Sequence, residues 1–345
     1  MTQIKVDNIA DAAGTGAPDF EDGLTVAGSA ISTLNTAEYY SGETEPSSPK
    51  NGAIWKDTAN DKLMIYVAGE FKEIELGASA GGSWTVDLSN VTYDSVSLNI
   101  GGQDTSGQGI HVSPDGTKMY IAGNSSDSVL QYSFSTAFDL STASYDNVSF
   151  SVGSQDSVPM DVAFNLDGTK MYVVGNSSDT VYQYSLSTGF DLSTASYDNV
   201  SFNVSSQDST PRSIFFNSDG TKMYIASSGV SDSIHQYSLP TAFSLGTASY
   251  DSVSFSTVGQ DSTPSSSFFN TDGTKMYVLG GVNDSVYQYS LSTSFDLSTA
   301  SYDNISVSVA SQGVGSSDIA FSNDGTKMYM VCNATESVYQ YSTGL

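Results

Sequence analysis

The chain has 345 residues, of which 38 are acidic and 11 basic, and its formal net charge is −27. This charge excludes a nucleic-acid binder that works by neutralising phosphates, and it argues against docking on an anionic membrane. The single cysteine, Cys332, cannot form an internal disulfide, and two histidines leave little room for a histidine metal site. No run of about 20 apolar residues occurs and the start does not resemble a secretory signal, so we expect neither membrane insertion nor signal-dependent export.

Residues 1–80 differ in composition from the rest of the chain and form the first predicted region. They hold five of the ten lysines and lack the motif that repeats later. After a proline-rich loop, the pattern predicts a three-stranded meander near 52–76, with turns at 60–61 and 68–69. The sequence GASAGGS at 77–83 is typical of a flexible linker. A domain boundary is therefore predicted near residue 80, with a second domain over 84–345.

The second domain is built from five copies of one repeat. The hexapeptide DGTKMY begins at Asp115, Asp167, Asp219, Asp272 and Asp324. In the second copy the pattern predicts four short strands, over 160–164, 170–174, 180–185 and 196–204. The Asp-Gly pair between the first two strands predicts a tight hairpin, because glycine accepts a positive φ without steric strain. Repeated four-stranded units predict an all-β fold, a five-bladed β-propeller.

The two ends of the repeat region predict a closed ring. The last copy stops after its third strand, at 337–342, and lacks a fourth. A lone copy of the fourth strand, VTYDSVSLNI at 91–100, precedes the first repeat, and its leader WTVDLS is similar to the later FDLS linkers. We expect this N-terminal strand to complete the last blade. Closure removes the exposed edges that the alternative, an open solenoid, would leave.

The repeat resembles those of a known group of propellers. The segment SPDGTKMYIAG at 113–123 resembles the repeats of YVTN-type and lactonase-like β-propellers. The resemblance covers residues 84–345 and implies blade geometry. Because that family contains enzymes and binding proteins alike, it implies a fold and no particular function.

Short segments of the N-terminal region resemble bacteriophage tail fibres and related virion proteins. They are IKVDNI at 4–9, FEDGLTVAG at 20–28, and PKNGAIWKDT with LMIYVAGEF within 49–71. The resemblance implies that residues 1–80 attach the chain to other virion proteins and form a homo-oligomer. It also implies localisation to the virion after synthesis in the host cytoplasm. The apolar side chains expected at the attachment interface are Ile4, Val6, Ile9, Phe20 and Trp55.

Repeated polar residues in the loops predict a ligand-binding face on the propeller. The loop that enters the first strand of a blade and the loop between its second and third strands lie on the same face. Carboxylates and amides ringed there suit the hydroxyls of a host-surface glycan, although such residues also commonly cap turns. Gly313 breaks the repeat by replacing an aspartate. The candidate ligand-binding residues are Gln103, Asp104, Gln155, Asp156, Gln207, Asp208, Arg212, His235, Gln260, Asp261 and Gln312.

Two further sets of charged residues recur once per repeat. The loop between the second and third strands of a blade carries an acidic residue, and oxygen-only ligands of this kind favour calcium over zinc. We therefore hypothesise weak calcium binding at Asp127, Asp179, Asp232 and Asp284. No other cofactor is expected. The opposite face carries one lysine per repeat, each three residues after an aspartate. Local ion pairing with that aspartate is sufficient to explain these lysines.

No catalytic motif was found, neither a P-loop nor a GxSxG elbow nor HExxH, so the chain is not expected to be an enzyme. The sequence predicts a phage virion structural protein, a tail fibre or receptor-binding protein anchored by its N-terminus. Its propeller would be displayed outward to bind a host-surface ligand. Two alternatives stay open. One is a capsid or tail decoration protein whose propeller only packs on its neighbours, and the other is a sugar- or lactone-active propeller enzyme.

Overall fold

The structure, a computed structural model, describes residues 84–345 throughout and seven short strands before them. The chain divides into two compact units, Met1–Ser79 and Ala80–Leu345. No helix in the described part of the chain has the length and apolar character needed to cross a lipid bilayer. The seven strands of the first unit are β1 (Ile4–Val6), β2 (Leu24–Val26), β3 (Ser29–Ile31), β4 (Tyr39–Gly42), β5 (Ile54–Asp57), β6 (Lys62–Val67) and β7 (Glu70–Glu73).

These strands form two small sheets. Strands β1 to β3 make one antiparallel sheet, and β4 to β7 make the other. Strands β5, β6 and β7 are antiparallel and coincide with the predicted meander, whereas β4 was not predicted and pairs with β5 in parallel. Of the residues expected at an attachment interface, Ile4 and Val6 lie on β1 and Trp55 lies on β5. Ile9 and Phe20 lie outside the described residues.

The second unit is a five-bladed β-propeller with four-stranded antiparallel blades, as predicted. The first blade contains β9 (Gly107–Val112), β10 (Lys118–Gly123), β11 (Ser128–Phe134) and β12 (Ala143–Ser151). The second contains β13 (Pro159–Phe164), β14 (Lys170–Gly175), β15 (Thr180–Leu186) and β16 (Ala195–Asn203). The third contains β17 (Pro211–Phe216), β18 (Lys222–Ser227), β19 (Ser233–Ser238) and β20 (Ser249–Ser256). The fourth contains β21 (Pro264–Phe269), β22 (Lys275–Gly280), β23 (Ser285–Leu291) and β24 (Ala300–Ser308).

The fifth blade closes the ring with the strand from the start of the domain. It contains β25 (Ser316–Phe321), β26 (Lys327–Cys332), β27 (Ser337–Ser342) and β8 (Thr92–Asn99). Strand β8 runs antiparallel to β27, with Asn99 opposite Ser337 and Thr92 opposite Ser342. The predicted closure is therefore confirmed. The ring has no unpaired β27 edge, which would otherwise offer its amides and carbonyls to another chain.

The hairpin between the first two strands of each blade needs its glycine for two reasons. Gly168 has a φ of +70°, and a Cβ on it would lie 2.4 Å from the ring of Phe190. The Gly168 amide donates to the Asn165 carbonyl, which closes the turn.

Sequence pattern did not predict the short 3₁₀ helices that precede the fourth strands. They are Leu88–Asn90, Leu140–Thr142, Leu192–Thr194, Leu245–Thr247 and Leu297–Thr299.

Apolar clusters fill the spaces between neighbouring blades. One cluster combines Tyr120 and Val129 of the first blade with Val162 and Val173 of the second, all 2% exposed or less. The tyrosines of the repeated MY and QY dipeptides are buried in these clusters. Burying each such aromatic side chain stabilises the fold by about 1.5–3 kcal/mol, so blade contacts are a main source of stability.

Each blade is also fixed to the next by a buried glutamine of its third strand. Gln131 Oε1 accepts the amide of Leu192 in the next blade at 2.9 Å, while Gln131 Nε2 donates to Asp146 at 2.8 Å. The same contacts recur around the ring, including Gln288 with Leu88 of the closing segment. The N-terminal segment is therefore joined to the fourth blade by the bond that joins the other blades.

The repeated lysines form ion pairs, but with a partner that sequence proximity did not indicate. Lys118 Nζ lies 2.8 Å from Asp146 on the fourth strand of its blade, and the other four lysines make the equivalent pair at 2.6–2.8 Å. Asp115, three residues before Lys118, instead accepts from the Thr117 amide and hydroxyl. The predicted pairing within the hairpin was therefore wrong, because the hairpin aspartate is used to order its own turn.

Candidate active site

The five innermost strands place one residue each at a common level near the axis of the ring. These residues are Gly109, Asp161, Ser213, Ser266 and Asp318. At this level a side-chain oxygen accepts a backbone amide from the next blade. The contacts are Ile214 N to Asp161 Oδ2 at 2.8 Å, Ser267 N to Ser213 Oγ at 3.1 Å, Ile319 N to Ser266 Oγ at 3.4 Å, and Ile110 N to Asp318 Oδ2 at 2.7 Å. The side chains at this level thus accept hydrogen bonds from backbone amides on the inner edge of the blades, where no neighbouring strand supplies an acceptor.

Gly109 breaks the pattern and brings two carboxyl groups together. It lies on the blade between those that carry Asp318 and Asp161. A Cβ on Gly109 would lie 2.4 Å from Asp161 Oδ1 and 2.5 Å from the Asp161 Cα. The Asp161 side chain takes up that space and forms a hydrogen bond with the carboxyl of Asp318. The Oδ1 atom of each carboxyl accepts the amide of the following residue. Asp161 Oδ1 lies 2.6 Å from the Val162 amide nitrogen, and Asp318 Oδ1 lies 2.8 Å from that of Ile319.

Burial makes this carboxyl pair retain a proton. Asp161 is 4% exposed and Asp318 is 3% exposed. Burial raises the pKa of Asp318 to about 6, against hydrogen bonds from Ser266 and two backbone amides that lower it. Burial and the charge of Asp318 raise the pKa of Asp161 well above its usual range. At neutral pH the pair therefore holds one proton and one negative charge, which the two carboxyl groups share.

The pair lines a cavity of ≈160 Å³ that follows the second half of the innermost strands. Its wall includes the rings of Phe164, Phe215, Phe216, Phe268, Phe269 and Phe321. Trp84 of the closing segment also lines it, so the N-terminal segment contributes to the site as well as to the ring. A cavity of this size accommodates a single six-membered ring, since benzene binds in a cavity of about 150 Å³.

His111 is the other titratable side chain on this wall. Its ring centroid lies 5.1 Å from that of Phe164, and its enclosed Nε2 has no hydrogen-bond partner. Burial lowers the pKa of His111 to about 4, so the imidazole is neutral at pH 7. A neutral imidazole adds no positive charge to the site, which leaves the carboxyl pair as its acid and base.

The predicted Gln-Asp residues lie elsewhere, in the loops that enter the innermost strands. Asp156 is 3% exposed and accepts from the amides of Val158, Ser177 and Ser178. Asp104, Asp208 and Asp261 accept amides of the facing loop in the same way. Tyrosine hydroxyls of the third strands donate to Gln103, Gln207, Gln260 and Gln312. Tyr184, the equivalent tyrosine in the blade of Gln155, has no hydroxyl partner. These contacts order the loops, and ligand binding by these residues stays a prediction.

Arg212 and His235, the other candidate residues, have local partners. Arg212 Nε donates to Ser228 Oγ at 2.8 Å, and burial lowers the pKa of its guanidinium. His235 Nε2 lies 3.0 Å from Ser231 Oγ. In the second blade Tyr182 makes the equivalent contact with Ser178 at 2.8 Å. His235 thus takes the place of a tyrosine of the repeat and keeps the hydrogen bond to the serine four residues earlier.

The loop acids of the calcium hypothesis share a backbone conformation. Asp127, Asp179, Asp232 and Asp284 have φ values of 44–52°, and the carbonyl of each accepts the amide that follows the fourth strand. Within the residues that the structure describes, no group of three or more His, Cys, Asp or Glu side chains is arranged to hold a metal ion. Binding of calcium by these loops stays a prediction.

The carboxyl pair was not predicted from the sequence, because the departures from the repeat singled out there do not include the innermost aspartates. The signal was present in the innermost strands, which read GQGIHV, PMDVAF, PRSIFF, PSSSFF and SSDIAF. Aligned, they show an aspartate at the third position in two of five blades. A carboxyl group inside an otherwise apolar or small strand near the axis is the departure that points to chemistry.

The chain was compared with known protein families, curated proteins and solved structures. No protein-family model matches the sequence, and no curated protein matches it. Solved structures do resemble it. A candidate 6-phosphogluconolactonase from Bacteroides uniformis is 14% identical, with a TM-score of 0.43 over 68% of this chain and 67% of that one. The periplasmic gluconolactonase of Pseudomonas aeruginosa is 13% identical, with a TM-score of 0.40 over 72% and 63%. A Bacteroides fragilis candidate 6-phosphogluconolactonase is 15% identical, with a TM-score of 0.42 over 72% and 77%.

These findings correct two predictions. The prediction of a phage virion protein that binds a host-surface ligand is contradicted, because these structural neighbours are described as lactonases. The prediction that the chain is not an enzyme is contradicted on the same ground. The resemblance to lactonase-like β-propellers is supported. At these identities and TM-scores the neighbours' substrates are not transferred to this chain, so its function has to be argued from its own cavity.

Proposed function

We propose that the propeller is a hydrolase that opens a small cyclic ester, a lactone, in the axial cavity. Asp318 acts as the general base and Asp161 as the general acid. The observation that carries the proposal is the hydrogen-bonded pair of buried carboxyl groups on the wall of a cavity of ≈160 Å³. Two carboxyl groups that share one proton can activate water and donate a proton in the same reaction.

The reaction balances with one water consumed per lactone. Ionised Asp318 removes a proton from water as its oxygen bonds to the lactone carbonyl carbon. Asp161 donates its proton to the carbonyl oxygen, which has received the π electron pair. When the carbonyl re-forms, Asp161 recovers its proton, the ring C–O bond breaks, and the ring oxygen takes the proton held by Asp318. The product is a hydroxy acid, and the pair returns to its starting state.

The geometry favours acyl hydrolysis over glycoside hydrolysis. Retaining glycosidases hold their two carboxyl groups about 5–5.5 Å apart, and inverting enzymes hold them about 6.5–9.5 Å apart. The carboxyl groups of Asp161 and Asp318 are in hydrogen-bond contact, so no sugar ring or water fits between them. The cavity also has room for one ring, whereas a glycosidic bond joins two groups.

A substrate panel tests this function. Wild-type protein is supplied at pH 7 with δ-valerolactone, D-glucono-δ-lactone and p-nitrophenyl glycosides, and release of acid or nitrophenol is measured above the uncatalysed rate. We expect hydrolysis of at least one lactone and of no glycoside. Hydrolysis of glycosides alone, or of none of the compounds, would refute the proposed function.

A further inference from the structure

Three asparagine side chains on the cavity wall are already occupied by the protein itself. Asn165 Oδ1 accepts the Lys170 amide at 2.8 Å, and its Nδ2 donates to Thr169 Oγ1 at 3.3 Å. Asn270 Nδ2 donates to the Trp84 carbonyl at 2.9 Å, and its Oδ1 accepts the Lys275 amide at 2.8 Å. Asn217 accepts the Lys222 amide in the same way. These asparagines order the hairpins and leave few groups for the hydroxyls of a ligand.

Three wall residues have polar atoms without partners, but these atoms do not face the cavity space. Ser267 Oγ, His111 Nε2 and Thr271 Oγ1 each expose less than 1 Å². A hydroxyl of a ligand cannot reach an enclosed atom without rearrangement of the wall. A sugar lactone would therefore bury several hydroxyl groups with no partner, and each such group weakens binding by about ten-fold.

The accessible wall is aromatic over much of its extent. The ring centroids of Phe215 and Phe268 are 5.0 Å apart, those of Phe268 and Phe321 are 5.3 Å apart, and those of Phe321 and Trp84 are 5.6 Å apart. These four rings come from three successive blades and the closing segment. Such a continuous surface favours a ring that presents carbon and hydrogen to it.

The charges around the cavity oppose an anionic substrate. In the described residues, no lysine or arginine lines the wall. The lysines of the blades are paired with aspartates, and Arg212 donates to Ser228. The carboxyl pair itself holds one negative charge at neutral pH. A phosphate brought beside it in a low-dielectric cavity would be repelled without any compensating cation.

We infer that the site selects an uncharged lactone whose ring is bare or carries only a small alkyl group, and that it rejects polyhydroxylated and phosphorylated lactones. The inference rests on the proposed function for the reaction, and it adds the substrate class. Its basis is the aromatic wall, the occupied asparagines and the lack of a cation on the wall.

The test separates binding from turnover. Values of kcat/KM are measured for δ-valerolactone, D-glucono-δ-lactone and its 6-phosphate, and calorimetry measures binding of δ-valerolactam and glucono-δ-lactam, their amide analogues. We expect kcat/KM for δ-valerolactone to exceed that for glucono-δ-lactone by about 100-fold or more, with no turnover of the phosphate. We also expect binding of δ-valerolactam alone. If the lactam binds but no lactone is opened, the proposed function fails and the selectivity stands. If the gluconic compounds are preferred, the selectivity is refuted and the hydrolase stands.

A matched pair of variants assigns the selectivity to the wall. Phe268→Leu removes a ring from the cavity, and Phe150→Leu removes one that packs on Tyr184 away from it. We expect Phe268→Leu to raise KM for δ-valerolactone about ten-fold and Phe150→Leu to leave KM unchanged. Thermal melting identifies any loss of fold. Equal KM values for both variants and the wild type, in folded protein, would refute the assignment.

Discussion

Replacing Gln288 by methionine tests whether the N-terminal segment is held as firmly as an internal blade connection. Gln288 is 3% exposed, accepts the Leu88 amide at 3.0 Å and donates to Asp303 at 2.8 Å. Methionine fills a similar volume but accepts no strong hydrogen bond. The variant leaves a buried amide without a partner, which costs about 1–3 kcal/mol. Since a domain is stable by about 5–15 kcal/mol, a loss of this size is measurable.

The matched control is Gln236→Met, which removes the same bond between two blades inside the chain. Gln236 accepts the Leu297 amide at 3.0 Å and donates to Asp251 at 2.9 Å. Urea denaturation followed by circular dichroism gives the free energy of unfolding for both variants and the wild type. We expect both variants to lose about 1–3 kcal/mol with an unchanged m-value. A loss for Gln236→Met together with none for Gln288→Met would show that residues 84–100 are not seated in the ring.

Three further predictions concern the axial level and its surroundings. Gly109→Ala should lower the free energy of unfolding by about 1–3 kcal/mol, because its Cβ would meet Asp161 Oδ1 at 2.4 Å. The control Gly102→Ala has open space around its Cβ and should change that free energy by less than about 0.5 kcal/mol, so equal denaturation midpoints for the two variants would contradict this prediction. Folding raises the pKa of Asp318 from 3.8 to about 6 and raises the pKa of Asp161 as well, so the folded state binds more protons and stability should fall as pH rises from about 4 through 6. Asp318 contributes about 3 kcal/mol of this fall, so Asp318→Asn should make the slope shallower in urea titrations across this range, and an unchanged slope in the variant counts against the buried pair. His235→Tyr should leave the melting temperature nearly unchanged because Tyr182 makes the same contact in another blade, and a drop of several degrees would show that the histidine has a role of its own.

The repeated features of the fold were predictable because each was observed several times in the sequence. The predicted strands of the second copy agree with β13 to β16 to within one residue at each end, and the last of them begins and ends one residue earlier than predicted. The strand at 91–100 was recognisable because it matched a fourth strand that the last copy lacked. Contacts between blades were not predictable, since they join residues such as Gln131 and Leu192 that lie far apart in sequence.

The candidate site was less predictable because it depends on an exception to the repeat. Asp161 and Asp318 are far apart in sequence, and only closure of the ring and the missing side chain of Gly109 bring them into contact. The same limitation explains the lysine pairs, for which sequence proximity favoured Asp115 over the actual partner, Asp146. The virion interpretation rested on short segments in residues 1–80, which carry no information about the chemistry at the axis of the propeller.

The most direct test of the account is the rate of lactone hydrolysis by Asp318→Asn. Its matched control is Asp303→Asn, which makes the same change in a carboxyl group that pairs with Lys275 and does not line the cavity. The account predicts that kcat/KM for δ-valerolactone falls by about 10²–10⁴-fold in Asp318→Asn and stays within about two-fold of wild type in the control. A folded Asp318→Asn protein that hydrolyses the lactone at the wild-type rate would contradict the central claim.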